Sequence, residues 1–146
     1  MPQVIKAVPP LHYAVITNAR EAAAPNFYNV LQRYSSGGGW RTVASQIPGG
    51  SGARTLLELS AEDSEVGIDG YYWIFGWKPF TKIRTHDQTL QLVAGFDDFG
   101  DDNDYNDLVV RIDLIKQDLP YAIEPIGTAQ DLSSLLKAPS RESTRK

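Results

Sequence analysis

With 146 residues, 42% of them apolar and 22% charged, the chain has the size and balance of one globular domain with its own core. It holds no cysteine, which excludes disulfides, thiolate zinc sites and cysteine nucleophiles. The formal charge of −4 is concentrated: six aspartates fall within Asp97–Asp107, and the remaining 12 acids and 14 bases leave the rest of the chain at +2.

Met1 to Pro10 carries one lysine and the adjacent Pro9-Pro10, without a continuous apolar stretch. No conventional secretory signal is therefore expected. The compartment stays open, cytoplasmic synthesis with non-classical export or action at the cell surface being compatible. No run approaches the ~18 apolar residues of a membrane span. His12 to Asn18 is rich in strand formers. Phe27 to Tyr34 alternates, with Phe27, Asn29 and Leu31 on one side and Tyr28, Val30 and Gln32 on the other. Ser35 to Gly39 predicts a turn, Trp40 to Ala44 a strand, and Ile47 to Gly52 a second turn.

Thr55 to Ser60 predicts another strand, and the acidic Ala61 to Gly70 a turn. Tyr71 to Trp77 predicts an aromatic strand that Pro79 ends or marks as an edge. Thr81 to Thr85 and Thr89 to Ala94 are two more strands. After the acidic loop, Leu108, Val110, Ile112 and Leu114 alternate with Val109, Arg111, Asp113 and Ile115. Eight or nine strands with Gly/Pro turns predict an all-β, antiparallel sandwich over 1–116. Residues 117–146 form a C-terminal arm: an extended stretch with two prolines, a short helix from Thr128 to Leu136 with Leu132, Leu135 and Leu136 as its apolar face, and a basic, disordered tail.

The acidic loop is the informative segment. Asp97 to Asp107 holds six aspartates and two asparagines, with no Lys, Arg or His among them. Such a run repels itself unless a cation sits inside it, and it repels nucleic acid. Short, hard oxygen donors suit Ca²⁺, whose six to eight ligands tolerate loose angles; Mg²⁺ prefers fewer protein ligands and several waters. Asp102, Asp104 and Asn106 alternate, so an extended backbone would point them the same way, and Asp107 adds a donor at the mouth of the next strand. Asp97 and Asp98 can close from the other end. Six carboxylates exceed the charge of one divalent ion and favour two. The EF-hand reading fails: a frame begun at Asp102 has Asp107 where glycine is required and Asp113 where glutamate is required. The competing reading is a solvated acidic turn without metal.

The string Asp102-Asn103-Asp104-Tyr105-Asn106-Asp107, followed by Leu-Val-Val-Arg-Ile, resembles the signature of the small bacterial calcium-dependent lectins that bind fucose and mannose. The resemblance is concentrated around this signature and extends in outline over 8–116. It implies a β-sandwich with two neighbouring Ca²⁺ ions whose coordination sugar hydroxyls complete. Asp97-Asp98 matches the family's acidic pair, with aspartate for glutamate and one extra loop residue. Asn18 matches an asparagine ligand at the end of an early strand. By the resemblance, Asp97, Asp102, Asp104 and Asp107 hold one ion, and Asn18, Asp104, Asn106 and Asp107 the other. Asp98 then hydrogen-bonds the sugar, Asp104 takes part in sugar binding, and Ala19 and Arg20 tune preference, the small Ala19 resembling mannose-leaning members. Tyr105 packs the loop onto the sandwich. Family members end just after the last strand, and one subunit's terminal carboxylate reaches its neighbour's second ion. This chain continues for about 30 residues. That ligand falls to an internal acid (Asp118 or Glu124), to water, or the second ion is absent.

Tyr71, Tyr72, Trp73, Phe75, Trp77 and Phe80 form an aromatic cluster that fits sandwich core better than a second carbohydrate platform. His12 and His86 lack metal-ligand spacing, no Gly-x-Ser-x-Gly is present, and the triple glycine lacks the Lys-Ser/Thr of a phosphate loop. Paired carboxylates in a glycosidase need one raised pKa, which a bound cation opposes. The expectation is a non-enzymatic, Ca²⁺-dependent carbohydrate-binding homo-oligomer. The alternative is a structural or assembly protein in which Ca²⁺ only locks the loop and the C-terminal arm packs on a neighbouring subunit.

Overall fold

The computed structural model describes residues 1–21, 25–98, 105–116 and 136. Its ten strands form two antiparallel sheets, as the all-β sandwich reading expects. The first sheet holds β1 (Val4–Val8), β6 (Ser64–Trp73), β3 (Asn26–Tyr34) and β4 (Gly37–Pro48) in that order, with β7 (Trp77–Pro79) also paired to β6. The second holds β5 (Thr55–Leu57), β2 (His12–Ala19), β10 (Leu108–Lys116), β9 (Gln91–Asp97) and β8 (Lys82–Gln88). Among the described residues no helix is long and apolar enough to cross a membrane.

Period-two alternation builds the core between the sheets. Tyr28 and Val30 of β3 and Val66 and Ile68 of β6 face Ala14 and Ile16 of β2 and Leu108, Val110, Ile112 and Leu114 of β10. Burial pushes the Tyr28 phenol up to about 12, against the lowering effect of its hydrogen bond from Asn18. Lys6 of β1 occupies an inward position and is buried; its Nζ donates to Asp87 Oδ1 at 2.6 Å and to the Gln88 carbonyl at 2.5 Å. That contact ties one edge of the first sheet to β8 of the second.

Several sequence readings change: ten strands stand against the expected eight or nine, and β4 begins inside the expected Ser35–Gly39 turn and runs on through Pro48. The acidic stretch 61–70 is mostly strand: β6 turns Ser64, Val66, Ile68 and Gly70 inward and leaves Glu65 and Asp69 half-buried. Thr55 to Ser60 is a strand over Thr55–Leu57 alone. Tyr71 to Trp77 is a hairpin, because Phe75 at φ 53° and Gly76 at φ 130° reverse the chain between Trp73 and Trp77. Core packing is also overturned for most of that aromatic run. Tyr72 and Phe80 pack inward, whereas Trp73 is 46%, Trp77 49% and Phe75 98% exposed.

A second, smaller cluster lies on the opposite face of the second sheet. Ala19, Val93 and Val109 are buried there with Leu136, and Tyr105 packs beside them. Gly95 lies beneath this contact: a Cβ there would fall 2.3 Å from both Leu136 Cδ1 and the Tyr105 carbonyl. Leu136 has helical backbone, and Arg84 Nη1 donates to its carbonyl at 3.2 Å. The rest of the expected arm, including Asp118, Glu124, Thr128, Leu132 and Leu135, lies outside the described residues.

Candidate metal centre

The antiparallel register of β9 and β10 assembles the site. Leu108 pairs with Phe96, so the residues just beyond, Asp97 and Asp107, meet where the two strands open into the acidic loop. Asp98 N–H donates to Asp107 Oδ2 at 2.8 Å. Carboxylate oxygens of Asp97, Asp98 and Asp107 all lie within 4.8 Å of one another. Asn26 braces the base, its Nδ2 donating to the Asp107 carbonyl at 2.9 Å.

Asp97 is 1% exposed, and neither of its oxygens accepts a hydrogen bond from the described residues. Lys82, its register partner on β8, brings Nζ to 3.4 Å from Oδ2, an ionic contact longer than a good hydrogen bond. Among the described residues, the Lys82 ammonium pairs with Asp97 within a group of three carboxylates. The imbalance shows at Asp107, whose carboxyl is pushed up to about 7. Burial is the largest cause; the Asp98 N–H opposes it, and the Asp97 contact and the charges of Asp98 and Asp97 add to it. Such a group takes either a proton or a cation. A buried carboxylate that accepts no hydrogen bond from the described residues, set among hard oxygen donors, fits Ca²⁺.

The other expected site residues fall in three places. Asp102 and Asp104 lie outside the described residues. Asn106 is 2% exposed, and its carbonyl accepts the Glu21 N–H at 3.1 Å, joining the loop to the end of β2. Asn18 lies on the adjacent strand, opposite Val110, on the core-facing side with Ile16. Its Nδ2 donates to Tyr28 Oη at 2.9 Å, which leaves its buried Oδ1 without a described partner. Ala19 is buried in the second cluster, and Arg20 is exposed with its Cβ near Gly50. Tyr105, at φ 54°, packs onto the sheet and carries the Arg84 guanidinium 4.7 Å above its ring. Lys82 went unread in the sequence, since only the β8–β9 register brings it to Asp97.

No family model matches the chain, and no curated protein matches it. Two lectin structures are similar in fold. The high-affinity mannose-binding lectin of Ralstonia solanacearum shares 17% identity at a TM-score of 0.49, over 84% of this chain and 100% of that one. The Chromobacterium violaceum lectin CV2L, in complex with alpha-methyl-fucoside, shares 14% identity at a TM-score of 0.48, over 84% of this chain and 100% of that one.

Proposed function

We propose that this chain is a non-enzymatic, calcium-dependent carbohydrate-binding protein of the mannose/fucose type. The observation that carries the reading is Asp97: a fully buried carboxylate that accepts no hydrogen bond from the described residues, with an oxygen within 4.8 Å of those of two further carboxylates. Asp97, Asp98 and Asp107 supply the described part of the site. Asp102, Asp104, Asn106 and Asn18 complete it by the resemblance of the signature, which provides for two ions. When bound, calcium supplies positive charge and open coordination positions for vicinal hydroxyls. Asp97 and Asp107 anchor the loop to the ends of β9 and β10, while Asp98, half-buried at the rim, accepts a sugar hydroxyl. Arg20, exposed just beyond the end of β2, flanks the sugar, and assembly into a homo-oligomer multiplies a weak single site.

Thermal melting of the full chain in Ca²⁺, in EDTA, and in Ca²⁺ with mannose or fucose tests this. Calcium raises the melting temperature, and sugar raises it further only when calcium is present. An unchanged melt on chelation refutes the calcium site.

The burial of Leu136 against Val93, Val109 and Tyr105 favours a second reading, in which calcium only orders the loop and Leu136 holds Tyr105 to the sheet. A large calcium shift without any sugar effect, with silence on a glycan array, selects it.

A further inference from the structure

The outer face of the first sheet carries an aromatic surface that the calcium site does not use. Phe27, Tyr71, Trp73 and Trp77 all point outward from β3, β6 and β7. Phe27 stacks on Tyr71 at 5.1 Å between ring centroids, Trp77 meets Phe27 edge-on at 4.7 Å, and Trp73 meets Trp77 edge-on at 5.4 Å. The rings fix one another, yet about half of each tryptophan remains open to solvent. Phe75 stands beyond them at the hairpin tip, held out by its positive φ. A joined aromatic surface of this kind marks a binding face.

The polar groups beside it decide what it binds. Asn29 and Asp69 sit opposite each other on the same outer face, one outward position along from the Phe27–Tyr71 contact. Asn29 Oδ1 accepts the Gln46 N–H at 2.8 Å, and Asp69 Oδ1 accepts the Gln3 N–H at 2.8 Å. This leaves the Asn29 Nδ2 donors and the Asp69 Oδ2 acceptor without partners among the described residues, on half-buried side chains anchored by their other atom. A fixed donor next to a fixed acceptor matches two neighbouring hydroxyls, each of which donates and accepts. From Asp69 to Trp73 the strand advances ~13 Å at the usual rise per residue, more than one sugar ring.

We infer that the outer face of the first sheet is a second carbohydrate site, calcium-independent, which takes an oligosaccharide with flat pyranose faces: sugar rings stack on Trp73 and Trp77 while hydroxyls of the same chain bind Asn29 and Asp69. The site stands independently of the calcium reading, since it shares no residue with the acidic loop. Sugar C–H groups carry partial positive charge and are drawn to the negative face of an indole. A second protein copy would instead seal the tryptophans in a dry contact and leave the Asn29–Asp69 pair with no matching groups to satisfy it.

Tryptophan fluorescence of the full chain in EDTA, titrated with cellohexaose and with mannohexaose, tests the site. At least one of the two gives a saturable change in emission. Trp77→Ala weakens it about tenfold, on the scale of one lost aromatic contact. Asn29→Ala also weakens it several-fold, while Asp97→Asn leaves it unchanged. Melting curves of the variants check that each is folded, and calcium titration of each keeps failure of this site separate from failure of the calcium site. No saturable change with either oligosaccharide overturns the inference. So does a wild-type dimer in sedimentation that Trp77→Ala converts to monomer, because a second copy then covers the face.

Discussion

Replacing Asp107 by asparagine keeps an oxygen to accept the Asp98 N–H and removes one negative charge from the acidic trio. The folded protein holds this carboxyl at about 7, against an ordinary 3.8. That rise corresponds to about 4 kcal/mol against the ionised form when fully expressed. Solvent reaches Asp98 beside it, and screening reduces the expected effect to about 2 kcal/mol. The direction is unusual for an acid. Because the folded value is raised, the stabilisation is complete below about pH 4, where both states are protonated, and is lost as pH rises through about 7. In EDTA the wild type therefore loses about 2 kcal/mol from this group between about pH 4 and pH 8, and Asp107→Asn does not. Near pH 8 the variant melts about 4–8 °C higher than wild type, and near pH 4 the two melt together. Calcium reverses the order: millimolar CaCl2 at about pH 8 stabilises the wild type and leaves the variant unmoved. Differential scanning calorimetry across this pH range, with and without calcium, reads all three effects. A variant less stable than wild type in EDTA near pH 8 refutes the reasoning, as it means the protein's own groups already neutralise Asp107.

Leu136→Ala opens a cavity over Val93 and Val109 and lowers stability by about 2–3 kcal/mol, read by urea unfolding. Gly95→Ala forces a methyl against the Tyr105 carbonyl and costs about 1–3 kcal/mol; an unchanged urea midpoint contradicts the packing of Leu136 and Tyr105 on that strand. Lys82→Met withdraws the ammonium facing Asp97. It lowers stability in EDTA by about 1 kcal/mol and tightens calcium binding, since the ion no longer competes with a fixed cation. A calcium isotherm of this variant weaker than wild type contradicts that geometry.

The strands legible in the sequence are those whose alternation is clean. In β10 Leu108, Val110, Ile112 and Leu114 fall on one face without interruption and turn inward, whereas β3 divides its apolar residues, with Tyr28 and Val30 inward and Phe27 outward. The strand β6 was hidden because Glu65, Asp69, Gly67 and Gly70 read as turn chemistry, although its inward positions alternate properly. The strand β1 is hidden by its length, its flanking prolines and a lysine at an inward position, which Asp87 and Gln88 of the other sheet satisfy. Alternation separates two faces without saying which is covered, so the sequence does not tell that Trp73 and Trp77 lie outside the core. The pairing of β7 with β6 and the turn at Phe75 put them there. In the candidate metal site, the grouping of Asp97, Asp98 and Asp107 is legible because an acid-rich loop calls for a neutralising charge. Lys82 is not, since it reaches the site through the β8–β9 register; Leu136 is legible as an apolar helix position but not as a neighbour of Val93 and Val109.

Calorimetric titration of the chelated full chain with CaCl2, followed by methyl α-mannoside or methyl α-fucoside, tests calcium-dependent sugar binding most directly. The expected result is saturable uptake of one or two calcium ions per chain, monosaccharide binding only afterwards, and loss of both in Asp97→Asn. Absence of saturable calcium uptake, or monosaccharide binding of equal strength in EDTA, contradicts it.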